Sequence, residues 1–291
     1  MDETKVLKRK KEEEEDVEDA VSESDGEKLD QETVDVDFEF FDPKPIDFHG
    51  LKSLLRQTFA NDSDLIPTSE LADLIIAQPS VGTTVKVEDE HDPYALMTVI
   101  GFTEHAEKGS VKAVREYVLE KARKVGPGVA DQVETLLPTA AWLVNERLIN
   151  MPPQVVPPML TMLMEEVEWA IEDGEPFKFD YFVYISKIYK EIESSLVEED
   201  GVVVDEKVKG KKKKAKTAAA EPTIFYFQSE DEVFAEHAEL TFDFKFTKSL
   251  QSSDSRRAFQ EYGIDPLRRV FIIKQEKMKG LLKELEGVLN A

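Results

Sequence analysis

The chain has 291 residues, 61 acidic against 37 basic, giving a formal net charge of -24 and a sequence pI of about 4.6. A field of that sign repels nucleic acid and anionic membrane and draws cationic partners from a distance, so basic proteins are the expected clients and direct nucleic-acid binding is not expected. Cysteine is absent, which excludes disulfides and thiolate chemistry; no apolar run approaches the roughly 18 to 20 residues of a membrane span, and the charged start does not suit a secretory leader.

Residues 12–42 carry sixteen acidic side chains and one basic one, Lys28, so more than half of the net charge sits in this segment. Residues 1–33 have few large apolar groups to offset the entropy of ordering and are expected to form a disordered acidic tail. Ahead of the acids, Lys8, Arg9, Lys10 and Lys11 form a basic cluster of the kind import receptors read. Ser22 and Ser24, in the string Ser22-Glu23-Ser24-Asp25-Gly26-Glu27, suit an acidophilic kinase.

A single ordered domain is expected from residue 34 to 291. Val36, Phe38 and Phe40 alternate with acids as in a half-buried strand, which Pro43 and Pro45 end. Phe48, Leu51, Leu54, Leu55 and Phe59 fall at helical spacing, and Leu71, Leu74 and Ile75 form a second helix with Thr68 as its N-cap. Residues 83–87 and 94–102 read as an antiparallel hairpin.

Val111, Val114, Val118, Ala122 and Val125 make a helical stripe closed by Gly126, and a shorter helix from Val129 to Leu137 stops at Pro138. Residues 140–149 read as a strand. A proline-marked loop then leads to a helix with Leu160, Leu163, Met164, Val167 and Ile171 on one face. Residues 177–189 are apolar on both faces, as in a central strand. Strand, helix and strand in that order make a parallel crossover, so the sheet should be mixed.

Residues 207–216 hold seven lysines and no acid, which marks a solvated, disordered insertion at about 198–221. Two aromatic strands follow, 223–228 and 240–246; in the second, Phe242, Phe244 and Phe246 should face the core together. A last strand over 269–274 leads into a helix carrying Met278, Leu281, Leu282, Leu285 and Val288. The fold class is therefore α/β in the α+β sense, a mixed β-sheet with flanking helices.

Signals for chemistry are sparse. Arg123-Lys124-Val125-Gly126-Pro127-Gly128 matches the R-x-x-G-x-G pattern that cradles the pyrophosphate of acetyl-CoA. That cradle needs backbone N–H donors where a strand runs into a helix N-terminus, whereas here the pattern follows a helix and Pro127 lacks a donor; a helix stop is the better reading. His49, His91, His105 and His237 are scattered without metal-site spacing. No catalytic, cofactor-binding or metal-ligating residue is assigned, and no cofactor is implied.

The runs DFEFFDPKPIDFHGLKSLLRQ (37–57), SELADLIIAQPSVGTTVK (69–86), DPYALMTVI (92–100), NERLINMPPQVVPPM (145–159) and PLRRVFIIKQEKM (266–278) resemble blocks of the BCCIP family, the animal BRCA- and CDK-inhibitor-interacting protein and its fungal counterparts. The resemblance implies a GNAT acetyltransferase-like fold without an acetyl-CoA site. It also implies a non-enzymatic nuclear chaperone and transport factor for a basic ribosomal protein of the large subunit, linked to ribosome biogenesis. Nuclear transport receptors, and a lipid kinase as nuclear-export cargo, are further implied partners. Two alternatives remain beside this reading: an acetyl-CoA-dependent acetyltransferase using Arg123 to Gly128, or a permanent scaffold in genome maintenance and cell-cycle control.

Lysines at 211–214 (Lys211, Lys212, Lys213, Lys214) and the cluster Lys8 to Lys11 are the two candidate import signals. Replacing both clusters with alanine is expected to move a fluorescently tagged chain out of the nucleus; an unchanged distribution would reject both.

Overall fold

In the computed structural model, residues 37–78, 80–87, 92–191, 224–248 and 264–289 are described. The N-terminal basic cluster, Ser22, Ser24, His91 and Lys211 to Lys214 lie outside them. In chain order the elements are β1 (Phe38–Phe41), α1 (Phe48–Phe59), α2 (Thr68–Ile76), β2 (Thr83–Val87), β3 (Ala95–Gly101), α3 (Gly109–Val125), α4 (Pro127–Leu136), β4 (Ala140–Arg147), α5 (Val156–Glu172), β5 (Tyr181–Glu191), β6 (Ile224–Tyr226), α6 (Asp231–His237), β7 (Leu240–Phe244), β8 (Ile264–Lys274) and α7 (Met278–Leu289).

The strands form one sheet in the order β1-β2-β3-β4-β5-β8-β7, with β6 also on β5. Among the described residues every pairing is antiparallel except β4 with β5, as the strand-helix-strand order requires. Alternate residues of β4 go to opposite layers. Ala140, Trp142 and Val144 pack with α1 to α4, whereas Ala141 and Leu143 pack with α5, α6 and α7. All eight residues of β4 are buried, so a helical layer covers each face of the sheet centre.

Several local expectations need correction. Thr68 is the first residue of α2, behind Pro67, and makes no cap hydrogen bond. Phe177 and Phe179 precede β5 and pack into the α5/α7 layer. β8 begins five residues early and contains Pro266, which is tolerated because β7 pairing stops at Arg268. Val125, Ile171 and Val288 are exposed, each in the last turn of its helix.

Phe246 is the most informative departure. β7 ends at Phe244, and Phe246 lies half-buried under the Arg268 guanidinium, 4.9 Å from its ring centre. The cause is a buried clasp. Lys121 Nζ donates to Asp62 (2.8 Å), to the Lys245 carbonyl (2.8 Å) and to Thr247 Oγ1 (2.9 Å). Asp62 in turn accepts the backbone N–H groups of Thr247 and Lys248 and the Tyr117 hydroxyl. These bonds capture the backbone after Phe244 and draw it off the sheet. Burial pushes the Asp62 carboxyl up, but the four donors outweigh it and hold the group below the usual carboxylate range.

Phe242 and Phe244 do point into the core together, with Phe244 edge-on to Tyr117 at 5.6 Å. Phe244→Ala is expected to cost about 3 to 5 kcal/mol of stability, measured by urea unfolding. A change within about half a kcal/mol would mean that this face carries no packing load.

Candidate functional site

In an open α/β sheet, the crevice beyond the carboxyl ends of parallel strands is where ligands usually sit. Among the described residues only β4 and β5 supply such a place. Their register runs Ala140 to Tyr181, Ala141 to Phe182, Trp142 to Val183 and Leu143 to Tyr184, and then stops. β5 continues alongside β8 to Glu191, but its other edge now pairs with β6 through Ile188 to Lys190. The two parallel strands therefore part after Leu143, and β6 with the segment after it enters the opening.

The opening is held by charged side chains on both faces. In the direction of the ended register, Glu146 comes opposite Lys187, and the two form an ion pair across the gap. Glu146 also accepts the Thr58 hydroxyl at 2.6 Å. Arg268 donates to the carbonyls of Thr58 (2.7 Å) and Gln57 (2.9 Å), closing the C-terminal end of α1.

On the opposite face, two consecutive acids at the start of α6 bridge the strands. Glu230 accepts from Arg147 of β4 at 2.7 Å. Asp231 accepts from Tyr184 at 2.7 Å and Ser186 at 2.5 Å, both on β5. The Phe227 N–H donates to the Lys187 carbonyl, which continues the β6 contacts along β5. Glu230, Asp231 and Ser186 have no exposed surface.

Burial dominates the electrostatics. It pushes the Asp231 carboxyl up to about 8, with the neighbouring Glu230 charge adding to the rise and the Ser186 and Tyr184 hydroxyls opposing it. Burial also raises Glu230, against the pull of Arg147. Each carboxylate is matched to a cation or hydroxyl on a strand, so the cluster works as a rivet where the backbone ladder has ended. Among the described residues no group of three His, Asp or Glu side chains could hold a metal ion.

The helix that follows β4 is also a poor phosphate cradle. α5 opens Val156-Pro157-Pro158, so two of its first three residues lack the N–H donors that a helix N-terminus offers to an anion. The Arg123 to Gly128 pattern is spent on the turn between α3 and α4. Arg123 pairs with Glu116, Lys124 with Glu120, and a side chain at Gly126 or Gly128 would meet nothing within 4 Å. His49 and His105 stand apart from this cluster, and His237 pairs with Glu284 at 2.8 Å. Glu230 and Asp231 escape sequence reasoning because they are two acids among 61; the Val233-Phe234 pair inside an acidic run was the available sign of a short buried helix.

A sequence model of BCCIP matches residues 33–234. The chain belongs to the BCCIP family. Its relatives include Protein bcp1 of Aspergillus oryzae, 42% identical over 268 residues that cover 90% of this chain and 89% of that one. Protein bcp1 of Schizosaccharomyces pombe is 38% identical, covering 90% and 93%. Among solved structures, BCP1 from Saccharomyces cerevisiae is similar with a TM-score of 0.58 at 26% identity, covering 91% of this chain and 93% of that one. This BCCIP-family chain thus shares its described architecture with a solved relative across most of its length.

The Asp231 value makes stability depend on pH. Between the unfolded value of roughly 3.9 and the folded value of about 8, the folded protein holds a proton that the unfolded chain has released. Stability therefore falls as pH rises through that window and levels off above it. Asp231→Asn should remove this loss, gaining on the unaltered protein by up to about 1 kcal/mol per pH unit between pH 5 and 8. Urea midpoints at four pH values measure it; a constant difference across the window would show that Asp231 is ionised throughout.

Proposed function

We propose that this BCCIP-family chain is a non-enzymatic acidic escort for basic proteins, a chaperone for a basic ribosomal protein of the large subunit. The observation that carries the reading is the distribution of charge: -15 in residues 12–42 and -9 over the rest. Both parts attract a cationic client, and neither suits nucleic acid.

The sheet is read as GNAT acetyltransferase-like in plan but without an acetyl-CoA site. Support comes from the one parallel pair among the described strands, the self-filled opening beyond it and the prolines at the start of α5. A nuclear address, exchange with nuclear transport receptors and a lipid kinase as a second export cargo follow from the family resemblance and complete the proposal.

The acidic segment and the folded body divide the work. Long-range attraction raises encounter rates and is screened over about 8 to 10 Å near physiological salt. Specific recognition needs a packed surface where a few desolvated anchors carry most of the energy. Deleting residues 1–33 should slow association with a basic large-subunit ribosomal protein and flatten its salt dependence while leaving dissociation nearly unchanged. Surface-immobilised kinetics at two salt concentrations tests this, and complete loss of binding on deletion would place recognition in those residues instead.

A further inference from the structure

The crossover helix α5 carries the chain from the carboxyl end of β4 to the amino end of β5, so its last turn lies at the end of the sheet opposite the rivet. Trp169 stands there with 60% of its surface exposed, on the face opposite the one that buries Leu160, Leu163 and Val167. A single exposed apolar side chain is ordinary; the setting of this one is not. Neighbours on a helix surface are three and four positions apart. For Trp169 these are Glu165, Glu166, Glu172 and Asp173, all acids. By the helical rotation, Glu165 and Glu172 run along one flank of the indole and Glu166 and Asp173 along the other. Met162, half-buried and two turns earlier on the same line, extends the apolar strip.

The charges are placed against the interest of the helix itself. A helix C-terminus is partly negative and is stabilised by cations, yet residues 148–177 hold six acids and no basic residue. Glu165 with Glu168, and Glu168 with Glu172, are like charges at three and four positions, which repel. Some of this charge is answered. Lys279 of α7 reaches Glu168 at 3.2 Å, and Glu166 accepts the Gly82 N–H at 2.8 Å and the Thr83 hydroxyl at 3.3 Å. Burial pushes the Glu166 carboxyl up against those two donors, and the charges of Asp42 and Glu165 add to the rise. Negative potential thus persists beside the indole, and Glu165, Glu172 and Asp173 meet solvent directly.

An open aromatic face between two rows of carboxylates suits a flat cation. We propose that this face of α5 is a docking surface for an arginine-bearing segment of a basic protein partner, with a guanidinium stacked on the Trp169 ring. A guanidinium can lie on the indole while its N–H groups, which point out from its edge, reach the carboxylates on either flank. A lysine ammonium has no plane to stack and no fork to share between them. The arginine stem would lie along Met162. Tryptophan and arginine are both enriched among the residues that carry most of an interface's energy. The docking surface rests on the escort reading and gives it a defined contact that diffuse negative charge does not supply.

Trp169→Ala is the deciding variant, because it removes the ring without changing the charge of the chain, and trimming an exposed side chain disturbs folding little. Fluorescein-labelled hexa-arginine is titrated into the full-length chain at near-physiological salt. Anisotropy reads its affinity, and acrylamide quenching of Trp169 reads its place, since the other tryptophan, Trp142, is buried. The expected result is saturable binding that shields Trp169 from acrylamide, weakens by about tenfold or more in Trp169→Ala, is largely kept in Trp169→Phe, and is weaker for hexalysine. Equal affinity in Trp169→Ala, equal affinity for hexalysine, or binding that leaves Trp169 open to acrylamide would each overturn the docking surface. So would a dimer of the unaltered chain, seen by sedimentation, that Trp169→Ala dissociates, which would mark the face as a contact between two copies. The acrylamide measurement on the unaltered chain stays decisive if a variant does not fold. With the ribosomal client in place of the peptide, capture unchanged by Trp169→Ala rejects this face alone, whereas failure of the unaltered chain to bind that client rejects the escort reading.

Discussion

Parallel strands are joined by slanted hydrogen bonds between backbones, and once two such strands diverge, the polar edges they expose must be satisfied by something else. In this chain the divergence begins after Leu143 and Tyr184, both buried. Its resolution organises the surrounding structure. β6 takes up the freed edge of β5, Glu146 and Lys187 bridge one face, and Glu230 with Asp231 bridges the other. Removing one member of a buried ion pair such as Glu146 with Lys187 or Glu230 with Arg147 costs about 3 to 5 kcal/mol, because the remaining charge is left unmatched. The opening is thus closed by groups whose loss is heavily penalised.

That closure bears on what the fold can do. A sheet of this plan offers its natural ligand crevice at the place the chain has filled with its own side chains. The helix beyond β4 begins with prolines, which cannot supply N–H donors for a phosphate. The escort reading therefore looks for its contacts on the charged exterior and not at the carboxyl ends of β4 and β5.

Much of the architecture was legible in the sequence, because periodicity reports which face of an element meets the core. The stripe Leu51, Leu54, Leu55 and Phe59, the hairpin of β2 and β3, and the crossover from β4 through α5 to β5 all follow from spacing and proline placement. What spacing could not report was polar burial. Lys121 lies fully buried on α3 where a surface lysine would be read, since its partner Asp62 is 59 positions away. The same clasp ends β7 at Phe244, two residues before the phenylalanine alternation does. Asp231 and Glu230 were hidden in an excess of carboxylates, and α6, seven residues long, is too short for a helical period to declare itself. In each case the deciding partner is distant in sequence, so no local pattern carries it.

Side chains of the chain itself fill the opening between β4 and β5, and the proposal built on that closure is that acetyl-CoA does not bind there. Thermal unfolding of the full-length chain across a titration of acetyl-CoA tests it most directly, because a ligand bound only by the native state must raise the unfolding temperature, by an amount equivalent to about 2.7 kcal/mol at a hundredfold excess over its dissociation constant. The expected unfolding temperature does not move with acetyl-CoA. A saturable rise, abolished by altering residues around the opening, would contradict it.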